Sequence, residues 1–233
     1  MIDVRPFARL GAFQNDWLNT HHHFSFANYH DPARMGFGRL RVWNDDEIAA
    51  GTGFDPHPHR DMEIVTYVRQ GAVTHRDSLG TEGRTEAGDV QVMHAGTGIV
   101  HAEYNREDMP TTLFQIWILP DKRGITPGWG TRTFPRLGSG LSVLASGRPS
   151  DADGGALPLY ADAALLAGTL AKGETVRVPL AAGRGIYLVP ATGSVTVNGV
   201  AAGARDGVAV TAEAELAITA DEDTDVVLVD VAA

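Results

Sequence analysis

Two short strings hold the residues best suited to chemistry in this 233-residue chain, His57-Pro58-His59 and His101-Ala102-Glu103. On a β-strand, residues i and i+2 point to the same face, with Cα atoms about 6–7 Å apart. Two such pairs on neighbouring antiparallel strands aim three imidazoles and one carboxylate at a single point. That donor set suits one divalent transition metal and leaves about two positions of an octahedral ion open to water, dioxygen or a bidentate organic anion. Ligand type alone admits iron, manganese, cobalt, nickel, copper or zinc. Imidazole binds only when neutral, so affinity is expected to fall in acid. HxH by itself is a weak signal, because histidines in Pro-rich loops are common. The competing reading makes His57 and His59 loop surface and His101 a hydrogen-bonded core residue. Parity does not choose between Glu103 and Glu63, because residues 57, 59 and 63 share a face if the strand is unbroken.

The remaining histidines carry plainer expectations. His21, His22 and His23 form an internal run, expected at the surface or in domain packing. His30 lies in a Tyr-His-Asp-Pro turn and is expected to be solvated. His75 stands two residues before Asp77 and is expected to fix a hairpin, with catalysis as the sharper alternative. His94 falls near the ligand strand, where lining the pocket or supporting a ligand is the alternative to no role. Gln115 and Trp117 share a strand face, a position that is more often core than substrate shelf. Gly51-Thr52-Gly53 and Gly96-Thr97-Gly98 lack the third glycine of a dinucleotide fingerprint. No GxxxxGK[ST] loop and no GxSxG elbow occurs, so NAD, ATP and serine-hydrolase chemistry have no motif.

The elements that must position these residues read as strands. Residues 64–68, 90–93, 113–119, 176–180, 186–189, 194–197, 207–211 and 226–231 are β-branched or alternating, and Gly, Asp, Asn or Pro turn signals bound them. Asn198-Gly199 is a type I′ hairpin signal. Helical periodicity is weak, with 161–170 the best candidate. Many closely spaced strands and few helices predict an all-β fold of barrel or sandwich type. Tyr67-Val-Arg-Gln-Gly-Ala-Val-Thr also echoes the string from Tyr187 to Thr196, which suggests a duplicated β-domain. Chemistry divides the chain as well. All nine histidines lie at or before His101, and only Phe134, Tyr160 and Tyr187 of the 17 aromatic residues follow residue 133. The expected domains are 1–133, with the metal, and 134–233, without one. The turn-rich stretch 145–158 is a candidate connection.

Charge and composition narrow the partners. Lys and Arg total 19 against 29 Asp and Glu, a formal net charge of −10. Phosphate contacts need clustered positive charge, so no nucleic-acid partner is expected. With zero cysteines, disulfides, thiolate ligands and a cysteine nucleophile are all ruled out. The longest apolar runs fall far short of the ~20 residues of a spanning helix, and the first residues show no apolar signal core. No membrane is expected, and a cytoplasmic location is the default expectation.

The surroundings of the two strings resemble a known superfamily. Gly51-(x5)-His57-x-His59-(x3)-Glu63-(x7)-Gly71 and Gly98-(x2)-His101-(x3)-Asn105 look like the two cupin motifs, although the first departs by one residue before its last Gly and the proline expected near Gly96 is absent. More closely, residues 57–68, 75–80 and 95–103, with 23–32 upstream and 115–120 downstream, resemble the pirin family. The resemblance is dense from about 20 to 130 and thin but collinear beyond. It implies a bicupin, two tandem jelly-roll-like barrels, with iron(II) in the first barrel and none in the second. By position it implies His57, His59, His101 and Glu103 as ligands, favouring Glu103 over Glu63. It also implies a quercetin 2,3-dioxygenase that cleaves a flavonol with O2 and releases carbon monoxide, with Glu103 as both ligand and general base. The alternative from another class is a non-catalytic, metal-dependent regulatory module that binds a protein partner. An open pocket beside the metal favours the first, and a flat apolar patch favours the second.

Overall fold

A computed structural model of the chain describes residues 1–134 and 140–232. Among the described residues the strands form two lobes, each pairing a seven-stranded sheet with a four-stranded one. In the first lobe the larger sheet runs in the order Gly128–Arg132, Val90–His94, Glu63–Gln70, Thr111–Ile118, Leu40–Ile48, Leu18–His22, Gly11–Gln14. The smaller runs Gly53–His59, Ile99–Tyr104, Ala72–Asp77, Glu82–Glu86. In the second lobe the larger order is Ile2–Arg5, Gly207–Thr211, Arg184–Pro190, Thr224–Ala232, Ala163–Leu170, Ser142–Ser146, Leu157–Pro158, and the smaller is Thr175–Pro179, Glu215–Ala220, Val195–Val197, Val200–Ala202. These are the two tandem cupin-type barrels the sequence predicts. No helix is long and apolar enough to cross a membrane among the described residues.

The main core lies between the lobes. One cluster joins Leu40, Trp43, Phe114 and Ile116 of the first large sheet to Leu165, Tyr187, Val189 and Val229 of the second. Alternation explains most of it: residues i and i+2 of a central strand face the other lobe, and the residues between them face their own barrel, while a register shift beside Arg41 lets Leu40 and Trp43, three apart, both face the shared core. The Tyr67/Tyr187 echo has a structural basis here. Glu63–Gln70 and Arg184–Pro190 hold the same place in their sheets; Tyr187 lies in this core and Tyr67 packs against it.

Three sequence expectations meet a different outcome. Residues 161–170 contain no helix; Ala163–Leu170 is a strand paired along its length with Thr224–Ala232. Its three Ala side chains, Leu165 and Leu170 are buried, and that tertiary packing overrides their helical propensity. The stretch 145–158 is more than a connection, since Ala145 and Ser146 pair with Leu157 and Pro158 inside the second lobe. Finally, Ile2–Arg5 hydrogen-bonds to Gly207–Thr211 of the second lobe, the place that Gly128–Arg132 takes beside Val90–His94 in the first. A division at residue 133 assigns that strand by number to the barrel it does not pair with. The Asn198-Gly199 turn forms as expected: it closes the hairpin of Val195–Val197 and Val200–Ala202, with φ of 45° and 85°.

Candidate metal centre

His57 and His59 stand on Gly53–His59, an edge strand of the small sheet. An edge strand tolerates Pro56 and Pro58, because one of its sides needs no ladder bonds. His57 lies directly opposite His101 on Ile99–Tyr104, and a register shift then sets Glu103 opposite Phe54. Gly53 permits that approach, since a Cβ there would come within 2.2 Å of the Glu103 carbonyl oxygen. Ring nitrogens of His57, His59 and His101 all lie within 4.8 Å of one another.

Hydrogen bonds and packing orient each ring. The Asp55 carbonyl can only accept, so His57 Nδ1 donates to it at 2.7 Å and Nε2 keeps its lone pair. His59 packs edge-on against Trp117, with centroids 4.9 Å apart. His101 is set by a relay. Asp77 Oδ1 accepts from the backbone N–H groups of Leu79 and Thr81, and Oδ2 accepts from His75 Nε2 at 2.9 Å. Burial works to raise the Asp77 carboxyl, but these bonds win and hold it below its ordinary value. An ionised Asp77 places the His75 proton on Nε2, so His75 Nδ1 accepts from His101 Nδ1 at 3.5 Å. His101 Nε2 is then a bare lone pair, buried without a hydrogen-bond partner among the described residues. Burial, then the neighbouring rings of His101 and His57, push His59 down to about 4. Burial, then His57 and His75, push His101 down to about 3. Converging imidazoles, of which burial keeps His59 and His101 neutral, fit a divalent transition metal.

Glu103 lies outside the three-histidine group and within 4.8 Å of ring nitrogens of His75 and His101. Its carboxylate is fully buried and wired: Gln91 Nε2 at 2.5 Å and Thr66 Oγ1 at 3.2 Å donate to Oε1, and Gln115 Nε2 at 2.8 Å donates to Oε2. Glu63 lies elsewhere. The chain turns through Asp61 at φ 48° between the two strands, so Glu63 begins a strand of the other sheet. There its Oε2 meets His94 Nδ1 at 2.6 Å and accepts from the Tyr160 N–H at 3.0 Å. The premise that 57, 59 and 63 share one strand face therefore fails, and His94 packs against Glu63 and Tyr160. His75 supports His101 from behind rather than merely fixing a hairpin.

The three imidazoles open on a cavity of about 500 Å³. Trp17, Phe54, Phe26 and Trp117 supply rings to it, and Gln115 lines it as well. On the facing sheet it is lined by Thr20, His22, Asn44 and Asp46; His22 is buried there rather than at the surface, and the other three carry no signal that singles them out in the sequence. Asn44-Asp45-Asp46 looks like a turn signal, yet it lies in mid-strand, bonded on both sides. Asp45 points the other way and takes Arg69 and Arg205. Burial above all raises Asp46 to about 7.

Comparison with known proteins places this geometry. A family model described as Pirin matches residues 4–118, and one described as Quercetinase C-terminal cupin domain matches 143–231. A protein of Caulobacter vibrioides named pirin-like protein is 58% identical over all of both chains. One of Escherichia coli K12 named quercetin 2,3-dioxygenase is 44% identical over 99% of both. The crystal structure of the bacterial pirin YhhW from Escherichia coli in complex with nickel(II) superposes with a TM-score of 0.94 at 44% identity, covering 100% of this chain and 99% of that one.

Proposed function

The chain belongs to the pirin family, and we propose that it is a metal-dependent dioxygenase that cleaves a flavonol such as quercetin with release of carbon monoxide. His57, His59 and His101 would hold the metal, with Glu103 as its carboxylate ligand and iron(II) as the ion used. When bound, that ion supplies Lewis acidity toward the acidic 3-hydroxyl of a flavonol and an electron partner for dioxygen.

The protein's own residues account for the rest. The aromatic walls exclude water and hold a planar substrate edge-in. Glu103 receives the 3-hydroxyl proton on a carboxylate oxygen. Gln91, Thr66 and Gln115 fix that carboxylate before substrate arrives, so no reorganisation is needed at the moment of transfer. The observation that carries this reading is the cavity: an open concavity within the ~300–1,000 Å³ range of small-molecule sites, ending on three converging imidazoles. A flat apolar patch in its place would have supported a protein-binding module instead.

The test is aerobic incubation of the iron-loaded protein with quercetin, following long-wavelength absorbance and carbon monoxide together. Glu103→Gln keeps the size and one oxygen of the side chain but removes the base, and turnover is expected to fall by ~10²-fold or more. Full activity in Glu103→Gln with loss in Glu63→Gln would reverse the carboxylate assignment. No carbon monoxide from the wild type would leave the regulatory reading.

A further inference from the structure

The far wall of the cavity holds a second polar group that the metal chemistry does not use. Leu18–His22 and Leu40–Ile48 are antiparallel neighbours, with Thr20 opposite Asp46 and His22 opposite Asn44. All four side chains are at least 96% buried and line the cavity. Their hydrogen-bonding capacity is largely unspent. Asn44 Oδ1 takes His22 Nδ1–H at 2.8 Å, which leaves His22 Nε2 as an acceptor and the Asn44 amide N–H₂ as a donor. Thr20 Oγ1 is buried opposite Asp46, whose carboxyl it works to hold down, and has no other hydrogen-bond partner among the described residues. None of the four bonds to Glu103, whose donors are Gln91, Thr66 and Gln115. Buried polar groups are costly unless something pairs with them.

A line of rings connects this wall to the imidazoles. His59 meets Trp117 at 4.9 Å, Trp117 meets Phe26 at 5.4 Å, and Phe26 meets His22 at 5.4 Å. A planar aromatic ligand with one end at the imidazoles would lie along this line and bring its other ring to the wall. Cross-strand and diagonal neighbours stand about 5–8 Å apart, a spacing at which two acceptors flank adjacent ring hydroxyls that each donate outward. Asp46 and His22 Nε2 would be those acceptors, with Asn44 and Thr20 able to donate back to the hydroxyl oxygens.

We propose that Thr20, His22, Asn44 and Asp46 form the specificity wall of the cavity, selecting aromatic substrates with adjacent hydroxyls on the ring remote from the metal. This rests on the flavonol reading above and adds the residues that choose among flavonols. The test is calorimetric titration of the metal-loaded protein under argon, where no turnover occurs, with quercetin, kaempferol (one hydroxyl on that ring) and galangin (none). Quercetin is expected to bind at least ~10-fold more tightly than galangin, with kaempferol between. Thr20→Val and Asp46→Asn are expected to flatten that series while the metal content stays unchanged. Equal affinities in the wild type, no quercetin binding, or an unflattened series in both folded variants would overturn the wall. The wild-type series decides even if a variant fails to fold. Carbon monoxide release with equal affinities sinks the wall and spares the dioxygenase. The graded series without carbon monoxide does the reverse.

Discussion

The strand pair that carries His57, His59, His101 and Glu103 has a counterpart in the second barrel: Thr175–Pro179 beside Glu215–Ala220, at the same places in the sheet order. There Val176, Val178, Leu216 and Ile218 join a cluster with Ile186, Leu188, Val208, Val210 and Leu228. One barrel is filled with aliphatic side chains, and the other keeps a cavity walled by imidazole, carboxyl, amide and hydroxyl groups. In the first barrel the apolar clusters sit around that cavity, in Leu18, Ile48, Val68, Val73 and Leu113 and in Ile64, Met93, Ala95 and Ile99. Its remaining support comes from the core shared between the lobes. The contrast shows how one architecture carries both stability and chemistry: the filled barrel and the interface supply apolar burial, and the hollow barrel can then hold polar groups that cost stability.

Exchanging residue types between the barrels should give the largest effects. Leu216→His puts a polar ring into the dry cluster and is expected to cost about 4 kcal/mol or more in a urea titration, from lost packing plus an unpaired polar group. His101→Ala should abolish stoichiometric metal binding while shifting the stability of the metal-free protein by no more than about 1.5 kcal/mol, because an orphaned buried nitrogen is removed along with the packing. Full unfolding of His101→Ala would make the site structural and end the comparison.

A smaller effect probes the relay behind His101. In Asp77→Asn the side-chain oxygen still satisfies the backbone N–H groups of Leu79 and Thr81, but the amide N–H₂ then faces His75. His75 must move its proton to Nδ1, and His101 Nδ1 becomes the acceptor, which puts a proton on His101 Nε2, the nitrogen that the proposed metal site needs bare. Metal affinity measured against a competing chelator should fall about 10–100-fold. Unchanged affinity would remove His75 and Asp77 from the site.

The smallest effect tests the seam between the lobes. His23 Nδ1 meets the Tyr187 hydroxyl at 2.9 Å in a fully buried contact, and burial pushes His23 down to about 3. Below its ordinary 6.5 the unfolded chain takes up a proton that the folded protein refuses, so stability drains as pH falls from there toward 3. At about pH 5 the loss is about 2 kcal/mol. Asp46 works in the opposite sense: the folded carboxyl at about 7 holds a proton the unfolded chain has released, so its contribution shrinks as pH rises from about 4 to 7. The discriminating measurement is therefore a difference. The stability gap between wild type and His23→Asn should be about 2 kcal/mol smaller at about pH 5 than at about pH 7.5, and a constant gap would take His23 out of the pH response.

The period-two spacings of His57/His59 and His101/Glu103, the strand runs and the Asn198-Gly199 turn were legible from residue order alone, because each depends on local backbone geometry. So was the change of chemistry after His101, which is a matter of composition. Other features required the assembled sheets. Asp46 and His22 became cavity walls because two strands lie side by side, and Ala163–Leu170 became a strand because layers cover both its faces. Glu63 stands on the other sheet because the chain turns at Asp61, and Ile2–Arg5 pairs with residues some two hundred positions away. Side-chain parity is a property of a single strand; which strands meet, and which faces enclose a cavity, follow from long-range pairing and burial that no local spacing encodes.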